Sequence, residues 1–360
     1  MRVLDLFCGC GGMSLALNNV ATSSAGYCDI DPRCLESIKR NIAKKLIHSG
    51  PLFNDVRAIH GKDLQPPPQL ITASFPCVGF STLGLGAGFD NPHTHLFFEV
   101  LRIVDGIKPT PIVVFENVPG VLKDEAMKVV VRELCERRGF DISWMVVPAY
   151  IVKGALHSRK RWFCVAVPPK TDVPKLHEPK PHQNRPEPPR MVIGGTLAED
   201  IWRFKAMGNA VVPPCAGLAL SLVSGFDRTP KVFTTVPTSG DWPTSGVVTA
   251  RGKRLSHGAS MPPLYPPKLS LVVDPSLYTP KKTIKCNTKN DVLTTPIHRT
   301  SWASPMHGTY CPTHQMTERS AHNLPTQVRF EKGTVNRRGH INPEWVEWLM
   351  LCPSGWTNKA

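Results

Sequence analysis

Between residues 1 and 167, short apolar runs alternate with stretches of helical character, and this alternation constrains the fold more than any other feature of the chain. "RVLDLF", "SAGYCDI", "LITASF" and "PIVVFENV" read as buried strands, each too short and too uniformly apolar for a surface helix. Between them, "GGMSLALNN" starts a helix. "DPRCLESIKRNIAKKL" sets Leu35, Ile38, Ile42 and Leu46 at helical spacing, and "LFFEVLRIVDGI" forms another amphipathic stretch. Strands separated by helices predict an α/β fold, a doubly wound, mostly parallel sheet with helices on both faces. "DISWMVVPAY" and "RWFCVAVP" follow as two later strands, expected to pair antiparallel.

Prolines crowd residues 168–190, which predicts an extended linker. Residues 191–225 contain "AMGNAVVPPCAGLALSLVSGF", a turn followed by an apolar helix that returns to the first domain. From about Phe226 the character changes to Pro, Thr, Gly and basic residues. This last third carries 17 Lys and Arg against 8 Asp and Glu, so nine of the fifteen net positive charges lie there. It is expected to form a second, basic domain, irregular or β-rich, spanning 226–360. A surplus of +15 favours a polyanionic partner such as nucleic acid. The 11 cysteines are odd in number and scattered, and no run approaches the roughly 18–20 apolar residues of a membrane span. No signal peptide precedes the first strand, so a reducing intracellular setting is expected, with free thiols and no membrane association.

"DLFCGCGGMS" places Gly9, Gly11 and Gly12 between the first strand and its helix, where glycine lets the backbone turn tightly and a ligand approach the helix N-terminus. A dinucleotide fingerprint requires a further glycine where Ser14 stands. Asp29 ends the second strand about twenty residues on, where a carboxylate can hold ribose hydroxyls. A glycine turn with a ribose acid but no pyrophosphate fingerprint suits S-adenosylmethionine. An ordinary tight turn is the alternative.

"FPCVGFS" fixes Cys77 directly after Pro76 in a short stiff stretch. Free cysteines are commonly packing residues. A thiol needing fixed aim for nucleophilic attack is the competing reading. Glu116 at a strand end and Arg159 and Arg161 in "HSRKRWF" are, taken singly, more often solvated or capping groups than catalytic ones.

Taken in order, "DLFCGCGG", "PCVGFS", "ENV" at 116–118, "GALHSRKRWF" and "GNAVVP" resemble the motifs of the cytosine-5 methyltransferase family over residues 1 to about 222. The resemblance implies a Rossmann-like catalytic domain over residues 1–167. It also implies S-adenosylmethionine as methyl donor and double-stranded DNA as partner, with the target base flipped out of its helix. It implies that Cys77 adds to carbon 6 of cytosine and that Glu116 hydrogen-bonds ring nitrogen 3 and the exocyclic amine. Arg161 then holds the carbonyl oxygen, and Arg159 supports the site or a backbone phosphate. Phe7, Gly9, Gly11, Gly12, Asp29, Ile30, Asp55, Val56 and Asn209 are implied at the donor. Residues 82–95 carry the glycines of a mobile loop that closes behind the base.

The chain departs from the family pattern in two places. His157 stands where the family has glutamine, and only 46 residues separate Arg161 from Gly208, too few for a target-recognition region. Recognition is therefore expected after the Gly-Asn motif, in the 226–360 segment, a layout associated with phage and large-virus members. "INPEWVEWLMLCPSGWT" resembles the helix that usually precedes the final motif, as though the order were rearranged. The expected protein is a monomeric modification enzyme of a restriction-modification system, acting in the cytoplasm or, for a virus, the host nucleus. RNA as substrate, as in family members that methylate transfer RNA, and a non-catalytic DNA-binding relative are the competing readings. Cys311 and His314, with His298, His307 and His322 nearby, have irregular spacing for zinc, so no metal is expected.

Overall fold

A computed structural model describes residues 1–80, 88–152, 154–171, 186–192, 197–224, 242, 244–248 and 340–358. The first half alternates as the apolar pattern requires. Strand β1 (Arg2–Leu6) leads to the short helix α1 (Gly12–Ala16), and β2 (Ser23–Cys28) to α2 (Pro32–Ala43). The short β3 (Leu52–Phe53) and β4 (Leu70–Ala73) precede α3 (Leu96–Asp105) and β5 (Ile112–Asn117). Helix α4 (Asp124–Val131) runs into a wide turn at Arg132–Glu136, and β6 (Asp141–Pro148) and β7 (Lys160–Val167) follow.

These strands and β9 (Ser245–Val248) form one sheet in the order β3-β2-β1-β4-β5-β7-β6-β9. Neighbours from β3 to β5 are parallel, whereas β7 is antiparallel to β5, β6 to β7, and β9 to β6. The chain leaves β1 toward β2 in one direction and later continues from β4 toward β5 in the other. The β1/β4 boundary is thus a topological switch point, where ligands bind at the carboxyl ends of strands.

Side chains alternate strictly between two cores. Leu4, Leu6, Val113, Phe115, Trp162 and Cys164 face the layer of α3 and α4, while Val3, Ile112, Val114, Phe163 and Val165 face the other helices. A sheet buried on both faces explains why its strands read as continuous apolar runs. Helix α2 is N-capped by Asp31, which accepts from the Arg33 amide at 3.0 Å, and it starts on Pro32. It ends at Ala43, three residues short of Leu46, where the chain turns left-handed at Lys45.

Beyond β7 the structure differs from a simple turn and helix. Residues 191–192 form β8, and a helix not expected from the sequence, α5 (Leu197–Asn209), contains the whole of "AMGN" before α6 (Pro213–Ser224). Gly208 hid the helix end, because glycine more often lies just past a helix than inside it. The described parts of the 226–360 segment pack on the first domain. Trp242 donates its amide to Leu122 at 2.8 Å and lies edge-on to Trp144. Strand β10 (His340–Ile341) pairs with β8, and α7 (Pro343–Leu349) packs on α5. Buried Glu347 accepts from Arg203 at 2.9 Å and from the Thr357 amide at 2.8 Å.

Asp5, in β1, is buried and accepts from Ser14 Oγ at 2.5 Å and Thr72 Oγ1 at 2.7 Å. Burial outweighs these bonds and pushes its pKa from 3.8 up to about 6. The fold therefore favours the neutral acid. Its stabilisation is full below pH 3.8 and is lost as pH rises through about 6. Asp5→Asn, whose hydroxyl partners can donate or accept, is expected to raise unfolding free energy at pH 8 by up to about 3 kcal/mol. Urea titrations should show this gain shrinking as pH falls below 6; an equal gain at every pH contradicts the assignment.

Candidate active site

Every element carrying a singled-out residue reaches the same edge of the sheet. The glycine turn follows β1, Asp29 follows β2, Asp55 follows β3, Cys77 lies four residues beyond the end of β4, and Glu116 is the next-to-last residue of β5. Because β7 runs antiparallel, its beginning rather than its end arrives there, bringing Arg159 and Arg161.

In the glycine turn Phe7, Gly9 and Gly11 have φ of 55°, 51° and 91°, a left-handed backbone that favours glycine at the last two positions. The Gly9 amide donates to Asp29 Oδ2 at 2.8 Å, and the Asp31 amide to Oδ1 at 2.9 Å. Burial raises the Asp29 pKa. A Cβ on Gly9 would meet no atom within 4 Å, so the turn borders open space, whereas one on Gly12 would lie 2.8 Å from Val211. The Gly-Asn segment thus packs directly on the glycine turn, with exposed Asn209 ending α5. Ile30 is 74% exposed beside Asp29, an unusual position for a large apolar side chain. Buried Val56 and Asp55 stand next along the edge, Asp55 paired with Arg57 at 2.8 Å, which lowers its pKa. An open cradle, a carboxylate and apolar surface together fit an adenosyl ligand.

The Pro-Cys loop is pinned on both sides. Phe75 and Phe80, both buried, flank Cys77 within an aromatic cluster with Phe89, Phe97 and Phe115. Asn117 Nδ2 donates to Phe75 O at 3.0 Å, the Phe80 amide to Cys77 O at 2.9 Å, and the Gly79 amide to buried Thr94 Oγ1 at 3.1 Å. A Cβ on Gly120 would lie 2.0 Å from Phe80 O, so only glycine permits that approach. Asn117 and Thr94 were not singled out from the sequence. Asn117 carried a signal, an amide directly after Glu116 at a strand end.

Cys77 is half-buried, and burial raises its pKa. Arg161 opposes that rise, Glu116 adds to it, and Arg159 opposes it, so the thiol is within electrostatic reach of all three. Glu116, opposite Phe163, and Arg161 are diagonal neighbours on one face of the β5/β7 pair, and their ion pair closes at 2.9 Å. Arg159 is buried, and its Nη2 donates to Gly208 O at 2.7 Å and Ala210 O at 2.6 Å, so its fork faces the chain rather than a phosphate. His157 is also buried; burial and the two arginines lower its pKa to about 3, so it is neutral. Residues 82–87 of the expected 82–95 loop, and the Cys311/His314 region, lie outside the described residues. Among the described residues no group of three His, Cys, Asp or Glu side chains could hold a metal, and no helix is long and apolar enough to cross a membrane.

A doubly wound sheet with an open glycine turn, a carboxylate after β2 and a thiol held beyond β4 defines a Rossmann-like methyltransferase. The model of the C-5 cytosine-specific DNA methylases matches residues 1–203, and the chain belongs to that family. Its reaction is transfer of a methyl group to carbon 5 of cytosine in DNA. Type II methyltransferase M.CviJI of Paramecium bursaria Chlorella virus IL3A is 28% identical over 375 residues, covering 97% of this chain and 95% of its own. M.NgoBV of Neisseria gonorrhoeae is 29% identical over 164 residues, 41% of this chain and 37% of its own. The crystal structure of S. pombe Dnmt2 methyltransferase superposes with a TM-score of 0.38 at 24% identity, covering 47% of this chain and 49% of that one. The chain therefore spans nearly the whole viral relative and about half or less of the other two.

Proposed function

We propose that the chain methylates cytosine in double-stranded DNA through a covalent adduct with Cys77. The observation that carries this reading is the convergence of the Cys77 thiol with the Glu116–Arg161 pair at 2.9 Å on the edge that also bears the glycine turn. Carbon 5 of cytosine is a poor nucleophile. Addition of the Cys77 thiolate to carbon 6 moves the ring electrons toward carbon 5, which then attacks an electrophilic methyl group. Glu116 meets ring nitrogen 3 and the exocyclic amine, and Arg161 the carbonyl oxygen, so the charge pushed into the ring is met by fixed hydrogen-bond partners. Loss of the carbon 5 proton and of the Cys77 sulfur restores the aromatic ring and the thiolate. S-adenosylmethionine, when bound, would supply the methyl group and leave as S-adenosylhomocysteine. Phe7, Ile30 and Val56 would offer apolar contact to its adenine and Asp29 would take the ribose hydroxyls. Gly9, Gly11 and Gly12 keep the backbone clear, and Asp55 and Asn209 complete the set.

Target recognition falls to residues 226–360, of which the strongly basic chain between β9 and β10 lies outside the described residues. Lys and Arg there meet phosphates and set affinity, while other side chains read bases. The match to M.CviJI along 97% of the chain supports a modification enzyme with this layout. We take it to act as a monomer, in the cytoplasm or in the host nucleus of a virus. The presence of Cys77, Glu116 and the open glycine turn together argues against a non-catalytic relative, and the family match to DNA methylases argues against RNA.

Plasmid recovered from cells expressing the protein, read by bisulfite sequencing, is expected to carry protected cytosines within one short recurring sequence. Complete conversion, with methyl transfer to RNA instead, contradicts the DNA assignment.

A further inference from the structure

Arg159 is deeply buried near the site, and its Nη2 turns to the main chain of another element. It is 4% exposed, and burial together with the neighbouring Arg161 lowers its pKa far below the ordinary value. A buried guanidinium is costly unless its donors meet acceptors in good geometry. The acceptors here belong to one turn: Gly208 O at 2.7 Å and Ala210 O at 2.6 Å, 49 and 51 residues away in sequence. These two carbonyls bracket Asn209. The next residue, Val211, meets Gly12 of the glycine turn so closely that a Cβ there would lie 2.8 Å away. On its other side Arg159 immediately precedes β7, two residues before Arg161, the partner of Glu116, and its carbonyl accepts from the Ala149 amide at 2.6 Å. One residue thus links the cytosine half of the site, through its backbone, to the donor half, through its side chain.

We infer that Arg159 is a positioning residue for the methyl donor: by clamping Gly208 O and Ala210 O it fixes the backbone that presents Asn209, and it touches neither phosphate nor base. Both bonds leave one nitrogen, Nη2, whose two N–H directions are fixed by the guanidinium plane, and a lysine ammonium carries the charge without that fixed plane. The inference rests on the donor site proposed above, but not on the covalent chemistry of Cys77.

The test is equilibrium binding of S-adenosylmethionine to the full-length protein without DNA, for wild type, Arg159→Lys, Asn209→Ala and the double variant. Arg159→Lys is expected to weaken donor binding about tenfold, and the double variant to be no weaker than the weaker single, the mark of two residues acting through one turn. Turnover at saturating donor should return to within about twofold of wild type, and KM for DNA should stay unchanged. Donor affinity that Arg159→Lys leaves intact, additive losses, or a loss confined to KM for DNA overturns the inference. Wild type that binds no donor overturns the donor-site reading and this inference with it. Should the Arg159 variants fail to fold, hydrogen exchange of wild type decides. Donor is expected to protect amides at 208–211 and 159–161 together, and protection limited to the glycine turn refutes the clamp.

Discussion

Cys77→Ser is expected to abolish methyl transfer, lowering the rate by at least about a thousandfold while DNA binding persists. A serine hydroxyl occupies nearly the same space, so the pinned loop between Phe75 and Phe80 keeps its shape, yet at neutral pH it offers no anion to attack carbon 6. Wild type should be trapped, with donor present, on an oligonucleotide bearing 5-fluorocytosine in its target, because fluorine cannot leave as the proton does. Cys77→Ser should not be trapped. The same thiol sets a pH dependence. Burial holds the Cys77 pKa above its ordinary 9.0 despite Arg161. Below that pKa the thiolate fraction grows about tenfold per unit, so kcat/KM for DNA should climb with pH from about 6.5 toward about 8.5. A serine variant with wild-type turnover, or a trap that forms without the sulfur, removes the covalent route.

Trp356→Ala is expected to give the largest loss of stability, about 3–5 kcal/mol in denaturant unfolding. The indole is 1% exposed, sits within the core of the helix layer that includes α1, and lies 3.6 Å from where a Cβ on Gly11 would be. Asn41 Nδ2 reaches both Cys10 O and Trp356 O at 3.5 Å, tying the last turn of the described chain to the glycine loop. The variant should also bind donor more weakly, because the glycine turn loses its backing. Trp356→Phe should recover most of the stability. Unchanged unfolding of the alanine variant would show that residues 340–358 do not belong to this body.

Much of this was legible in the chain. The β1 to β5 strands announced themselves because both faces are buried, and Gly9 and Gly11 because a left-handed backbone leaves few alternatives. Cys77, Glu116 and Arg161 were singled out by order along the chain, and the antiparallel course of β7 explains why an arginine near a strand beginning meets a glutamate near a strand end. The long-range packing was not legible. Glu347 and Arg203, or Trp356 and Gly11, pair residues more than a hundred positions apart, and no local periodicity records such a choice. Strand β9 has four residues, too few to show a period. The burial of Arg159 was not legible either: an Arg-x-Arg pair on a strand ordinarily faces water, and the carbonyls of Gly208 and Ala210 that help make its burial tolerable lie 49 and 51 residues away.

Strand β9 is zipped to the sheet edge and β10 to β8, so the ninety or so residues between them are stapled to the catalytic body at entry and exit. Lengthening a loop whose ends are already fixed adds only a slowly growing entropic cost. If target recognition lies there, as proposed above, an insert held this way would be a cassette, exchangeable for one reading another word of DNA while the hydrophobic layers beneath stay as they are.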